Sequence, residues 1–502
     1  MKISVEVDAA KAASDWAFAS SASQLAALRE GKISSLELLE TYLERIWRHN
    51  HALNAIVSID EERARQTARE ADDARANGEA LGPLHGLPIT VKDSFMTAGL
   101  RTTCGDKAFA NFIPTRDAEA IARLRAAGAV IIGKTNMPTG NQDLQAVNPL
   151  FGETSNPFNL ARTSGGSAGG GAAAVAAGLS SVEYASEIGG STRVPAHFCG
   201  LYGHKTTFKA IPMVGHIPYG PETSGYSGEM DMACVGVMAR SPDDIFPLLS
   251  ATVGPLPRDA HFPFSYAPPR ATALKDFRVA AWFDEEDCSI DASVRSAIET
   301  VISAVEKAGG TVVRKPTSLP VKFEDSYRVF ERLVYGAFST ETSTVTPAFV
   351  ANTVWRLIQR FGGDPLRALS GLEQKHKDWI RSDNRRQHFR DGWADFFNSF
   401  DVLLMPVTPT VAPPHHRKVN DRFGRTIQVD GVTRSYWDQM KWSSLANIAG
   451  SPATAFPVSS TADGMPVGVQ VMGPCGGDLT TIAFVRTIAP MVEGYRKPPD
   501  FV

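Results

Sequence analysis

Apolar residues along the chain follow two rhythms, one helical and one extended. Near the start Leu36, Leu39, Leu43 and Ile46 recur at helical spacing. Ser34 and Glu37 form an S-x-x-E capping box at their start, which marks a helix N-terminus. A second helix is predicted through residues 61–77, charged and rich in alanine, and therefore lying on the surface. The pattern then changes. Residues 84–93 hold a short β-branched strand that ends on Lys92. Asp117 stands where an N-cap belongs, ahead of a helix carrying Ile121 and Leu124. Residues 129–132 have no polar side chain, as expected of a strand in a parallel sheet covered on both faces.

Strand, helix and strand in this order predict an α/β architecture. Residues 163–171, rich in glycine and serine, lead into an alanine-rich helix over 172–177. A strand over 182–185 runs into Ile188-Gly189-Gly190-Ser191. The proline-rich stretch 254–269 reads as a loop, and residues 323–400 as mostly helical, with Tyr327, Phe330, Trp355, Phe361, Trp379, Trp393 and Phe396 along them. Strand signals at 402–405 and 467–472 return the chain to the sheet. No repeat, heptad or low-complexity tail interrupts this order.

Composition adds mainly exclusions. The 502 residues are 43% hydrophobic and 21% charged, enough for a sizeable core without metals or disulfides. A formal net charge of −3 gives no electrostatic reason to expect a nucleic-acid partner. Cys104, Cys199, Cys234, Cys288 and Cys475 are scattered, without a C-x-x-C pair, which fits reduced thiols in a cytoplasmic protein. The first eight residues contain no apolar core of a secretory signal. The run 169–179 is mostly glycine and alanine and too short to span a bilayer, so no membrane partner is expected.

The familiar chemical motifs are missing: H-E-x-x-H, G-x-G-x-x-G, the phosphate-binding G-x-x-x-x-G-K-[ST], and G-x-S-x-G around either glycine-flanked serine. His415 and His416 adjoin Pro413 and Pro414, and read as a surface loop and not as a ligand pair. No metal and no cofactor is therefore expected. Two glycine-flanked serines remain, with a lysine at a strand end. Glycines around Ser191 let successive backbone N–H groups converge on one point, the geometry that stabilises an oxyanion. One Gly-Gly-Ser alone is more often a flexible loop.

Several stretches together go further. Residues 163–171 and 186–207, with Gly86-Leu87-Pro88-Ile89-Thr90-Val91-Lys92-Asp93, resemble the signature and lysine motifs of the amidase signature family. Residues 133–137, 148–152, 156–157, 401–406, 447–457 and 464–470 match intervening family elements, so the resemblance covers nearly the whole chain. Lys92 precedes Ser167 by 75 positions and Ser167 precedes Ser191 by 24, as in that family. The resemblance implies one large mixed β-sheet with helices on both faces. It divides the chain into an N-terminal helical segment, 1–80, packed on a single amidase domain, 81–502.

It also implies roles. Ser191 is the expected nucleophile, Ser167 the bridging serine after a cis peptide, and Lys92 the base. Ile188, Gly189, Gly190 and Ser191 supply the expected oxyanion-hole N–H groups, and Asn141 and Ser167 are expected beside the substrate carbonyl. Two departures stand out: Ala168 replaces a common second serine, and Glu187 a common aspartate. Arg193 is expected to anchor the Ser191 loop by pairing with Glu187 or a carbonyl, and Cys199 to be a buried filler.

A serine hydroxyl attacks only when a base takes its proton, and lysine serves as base only when neutral, which burial promotes. The expected activity is hydrolysis of a small-molecule amide, linear or cyclic, to acid and amine or ammonia. Two other readings stay open: the amidase subunit of a glutamine-dependent tRNA amidotransferase, and an inactive binding protein on the same scaffold. A homodimer is also left open. Segments 137–147, 212–230 and 323–445 are expected to shape the substrate pockets.

Overall fold

The computed structural model describes residues 16–217, 230–261, 263–339, 375–417 and 424–501. Among them eleven strands form one mixed sheet. In chain order they are β1 (Ile56–Ile59), β2 (Pro88–Lys92), β3 (Val130–Thr135), β4 (Glu183–Glu187), β5 (Tyr202–Lys205) and β6 (Cys234–Ala239). They continue as β7 (Arg278–Ala281), β8 (Thr311–Arg314), β9 (Val402–Pro406), β10 (Ala453–Ser460) and β11 (Pro466–Met472). Across the sheet the order is β1-β3-β2-β4-β6-β5-β10-β11-β9-β7-β8. Parallel pairs, β3/β2/β4 and β9/β7/β8, flank an antiparallel centre.

Burial explains the strand sequences. Every residue of β2, β3, β4, β6, β9 and β11 is buried, so most of these strands are apolar on both faces and do not alternate, while β4 buries Glu183, Ser186 and Glu187 among its five residues. Helices cover them. The helix Ser35–Leu53 begins at the expected capping box: Glu37 N–H donates to Ser34 Oγ at 3.1 Å, and Ser34 N–H donates to Glu37 Oε2 at 2.8 Å. Its Leu38, Leu39, Tyr42, Leu43 and Ile46 face the core. The helix Glu61–Ala76 buries only Ala64, Ala68 and Ala71, which is why its other faces are charged. The segment ahead of residue 80 is not helical throughout, because β1 in it forms the sheet edge, antiparallel to β3.

Asp117 does not cap the helix Glu119–Ala126, whose N-cap is Ala118. Its carboxylate accepts instead from Ala98 N–H at 2.7 Å and Arg125 Nε at 3.1 Å, tying the helix to the preceding loop. The helices Phe323–Ser339 and His376–Ser399 occupy the aromatic region, with Trp393 and Phe396 in the core. Trp355 and Phe361 lie outside the described residues.

Candidate active site

The lysine and both serines meet at one end of adjacent parallel strands. In β2 and β4, Thr90 pairs with Glu183 and Val91 with Tyr184, so Lys92 ends its strand beside Ser186. Lys92 is 1% exposed. Its Nζ lies 2.7 Å from Ser167 Oγ and 3.1 Å from both the carbonyl and the hydroxyl oxygen of Ser186. Burial removes the hydration that favours an ammonium, and lowers the pKa to about 7 against the opposing pull of Cys104, Glu183 and Glu187.

Ser167 follows a cis peptide bond from Gly166 and is fully buried. Behind it the helix Gly169–Ala176 presses against β4 so closely that a Cβ on Gly171 would stand 2.3 Å from the Glu183 side chain. Asn141 Oδ1 is 3.5 Å from Ser167 Oγ, and Asn141 Nδ2 faces Cys104 Sγ at 3.5 Å. Ala168 is buried, and its N–H donates to the Ser191 carbonyl at 3.0 Å.

Ser191 sits on the turn between β4 and the helix Arg193–Phe198. Glu187 organises that turn. Its carboxylate accepts from the N–H groups of Gly190 at 3.1 Å, Thr192 at 3.2 Å and Arg193 at 3.3 Å, and from Arg193 Nε at 2.9 Å. The ion pair is wholly buried, and Arg193 also donates to the Ser443 carbonyl and Asn447 Oδ1, each at 2.8 Å, and to Gln470. Burial alone would raise the Glu187 pKa, but the Arg193 charge and its hydrogen bonds hold it below the ordinary value. One expectation needs correcting here. The Gly190 N–H is committed to Glu187, which leaves Ile188, Gly189 and Ser191 as candidate oxyanion donors. Gly190 has φ 112°, and a Cβ there would stand 2.6 Å from Ser443 Oγ.

Two chambers meet at Ser191. The smaller, about 250 Å³, is lined by Lys92, Ser167, Ser186, Glu187 and His216 among others. The larger, about 560 Å³, is lined by Tyr327, Phe330, Val334, Phe338, Trp437 and Met440, with Asp143 and Glu331 as its acidic residues. Asn141, Ile188, Ser191 and Phe338 border both. Asp143 is held by Arg425 Nη1 at 2.7 Å and the Tyr436 hydroxyl at 2.8 Å. Each of the three expected substrate segments thus contributes lining, although residues 218–229 and 340–374 lie outside the described residues.

Of the expected site residues, Lys92, Ser167, Asn141, Ile188 and Ser191 line the small chamber together, while Gly189 lines the large one. Ser186 and His216 were not singled out from the sequence. Ser186 adjoins Glu187 in the signature stretch and was within reach; nothing local marks His216. Cys199 is buried, and burial pushes its thiol well above the ordinary range. His415 approaches the Glu153 carboxylate at 3.6 Å, and among the described residues no group of three or more His, Cys, Asp and Glu side chains is placed to hold a metal.

By family the chain is a hydrolase acting on amides. The family model for amidases matches residues 37–482, and the chain belongs to the amidase family. A glutamyl-tRNA(Gln) amidotransferase subunit from Synechococcus sp. (strain CC9605) is 31% identical over 474 residues, covering 89% of this chain and 91% of that protein. The structure of 6-aminohexanoate cyclic dimer hydrolase complexed with substrate superposes with a TM-score of 0.77 at 25% identity, covering 97% of this chain and 100% of the other. An inhibitor-bound structure of a vestigial protein complex, bearing on the origins of an s-triazine catabolic enzyme, gives a TM-score of 0.77 at 26% identity, covering 95% and 100%. Among the described residues no helix is long and apolar enough to cross a membrane.

Proposed function

We propose that the protein hydrolyses carboxylic amides with apolar acyl groups through a Ser191 acyl-enzyme. The carrying observation is a buried lysine whose Nζ lies 2.7 Å from Ser167 Oγ, in a chamber bordered by Ser191. Neutral Lys92 takes the Ser167 proton as Ser167 takes that of Ser191. Ser191 Oγ attacks the carbonyl carbon, and the N–H groups of Ile188, Gly189 and Ser191 hold the oxyanion. The proton returns through Ser167 to the departing nitrogen, and water releases the acid by the same relay. Asn141 stands beside the scissile group. The acyl group occupies the larger chamber and the amine leaves through the smaller.

This reading needs no metal or cofactor, takes a small-molecule amide as partner, and assigns the chemistry to residues after 80. Free thiols at all five cysteines fit a reducing cytoplasm. Similarity to amidotransferase subunits keeps a second reading, release of ammonia from glutamine for a partner protein. Glutamine carries an ammonium and a carboxylate next to its acyl chain, whereas the lining of the large chamber is mainly apolar. The two readings separate on a panel of aliphatic, aryl, anilide, cyclic and peptide-terminal amides assayed beside glutamine. The triad is tested with a fluorophosphonate or sulfonyl fluoride probe: label is expected on Ser191 alone and on no residue of Ser191→Ala. Label at another serine in the wild type overturns the assignment.

A further inference from the structure

Lys92 has three oxygen neighbours, and as a neutral amine it has two N–H bonds and one lone pair to offer them. The Ser186 carbonyl has no proton, so it takes one N–H. That leaves one N–H and the lone pair for two hydroxyls, Ser167 and Ser186. If the Ser186 hydroxyl pointed its proton at Lys92, the lone pair would be spent there, and Ser167 would have no base. The direction of the Ser186 hydroxyl therefore decides whether the relay works.

His216 stands on the far side of that hydroxyl, its Nε2 2.8 Å from Ser186 Oγ. We propose that His216 is a positioning residue for amide hydrolysis: its Nε2 accepts the Ser186 proton, which makes Ser186 Oγ an acceptor towards Lys92 and leaves the amine lone pair aimed at Ser167. The inference rests on Lys92 being the base. It requires the imidazole to be neutral with its proton on Nδ1. Burial, together with the Lys92 and Lys134 charges, holds the His216 pKa well below its ordinary value, so the ring stays uncharged. The ring is also fixed in place. It meets the Phe95 ring edge-on at 4.9 Å between centroids, and its backbone N–H donates to the Met213 carbonyl at 2.9 Å.

The resulting chain runs one way: Ser167 O–H donates to Lys92, Lys92 N–H to Ser186, and Ser186 O–H to His216, with Ser191 bordering the same chamber. When the proton moves, Lys92 becomes an ammonium with three N–H bonds, and all three neighbouring oxygens already face it as acceptors. No hydroxyl beyond Ser167 has to turn, so the base is pre-organised for the transfer.

The test is a double-mutant cycle read by single-turnover acylation and by the pH dependence of kcat/KM. His216→Leu is expected to slow acylation about tenfold, less than the roughly 10²–10⁴-fold that proton-transfer catalysis supplies in full, because the base itself remains. Its acid limb is expected to move to lower pH, because the freed Ser186 hydroxyl now stabilises the neutral amine. In the Ser186→Ala background there is no hydroxyl to misdirect, and the same His216 substitution is expected to have no further effect. His216→Gln, whose Oε1 accepts from Ser186, is expected to retain more of the rate than His216→Leu. Nitrogen NMR of the wild-type imidazoles is a readout independent of any variant's folding, with the His216 signals assigned by their loss in His216→Gln. A bare Nε2 and a protonated Nδ1 are expected, and a proton on Nε2 overturns the proposal. So does an equal loss from His216→Leu with and without the Ser186 hydroxyl. Lys92→Ala is run alongside: wild-type rate and ionisation in it would remove the base assignment itself. An inactive Lys92→Ala beside an unaffected His216→Leu overturns only the role of His216.

Discussion

Burial of Lys92 has two consequences with different pH signatures. With its pKa near 7, against an ordinary 10.5, kcat/KM is expected to rise as pH passes through about 7 and then level off. Lys92→Ala is expected to cut acylation severely and abolish that ionisation, and Lys92→Arg not to rescue it, because a guanidinium stays protonated. Stability follows the linkage of proton binding to folding. Between pH 7 and 10.5 the unfolded chain holds the Lys92 proton and the folded protein does not, so this group's contribution rises with pH across that window. Below the window both states hold the proton and the penalty of the buried charge is constant. Glu183 slopes the other way lower down, since burial raises its pKa from 4.5 to about 7. Lys92→Met is therefore expected to gain stability relative to wild type at acid pH and to lose that advantage as the pH is raised towards 10.5. Urea midpoints measured across the range check it, and a pH-independent difference would contradict a lysine depressed by burial.

The turn that carries Ser191 is built as a unit, and its weak points follow from its wiring. Glu187→Gln leaves the buried Arg193 charge without its carboxylate, and is expected to destabilise by about 3–5 kcal/mol and lower kcat. Gly190→Ala forces a side chain onto φ 112° and into Ser443, and is expected to cost activity more than stability. Thermal unfolding beside initial rates separates the two effects. These elements were unevenly legible from sequence. β2, β3, β9 and β11 stood out as short, largely apolar runs buried on both faces, and β4 was read over 182–185 ahead of the Gly-Gly-Ser turn. β5 did not, because Tyr202–Lys205 contains a buried His204 and Lys205, nor did β8, which is mostly exposed; β1, β6, β7 and β10 were also not read as strands, although Cys234–Ala239 is as apolar and as buried as those that were. Their strand state comes from neighbours distant in sequence. The Arg193–Glu187 pair was legible because its partners lie six residues apart, whereas the Gly190 N–H was misassigned because backbone direction within a glycine turn leaves no mark on composition.

At the scale of the molecule, the sheet brings together groups that the chain keeps far apart: Lys92, Ser167, Ser191 and His216 on one side, Trp437 and Met440 on the other. On the proposed relay, proton transfer and oxyanion stabilisation both come from the polypeptide. Prolonged dialysis against a strong chelator is expected to leave the rate unchanged, and recovery on adding zinc or manganese would show the site misread. The position of Ser191 where two chambers meet has a further consequence, for the order of events. On the proposed mechanism the acyl group of the acyl-enzyme fills the larger chamber while the amine leaves through the smaller, so the amine is expected to be the first product released. Whatever small nucleophile then enters the vacated side competes for the same ester. Hydroxylamine is expected to divert turnover from free acid to hydroxamate, with a product ratio that depends on the acyl group and not on which amine has left. A ratio that changed with the leaving amine would mean that both products remain bound together until water attacks.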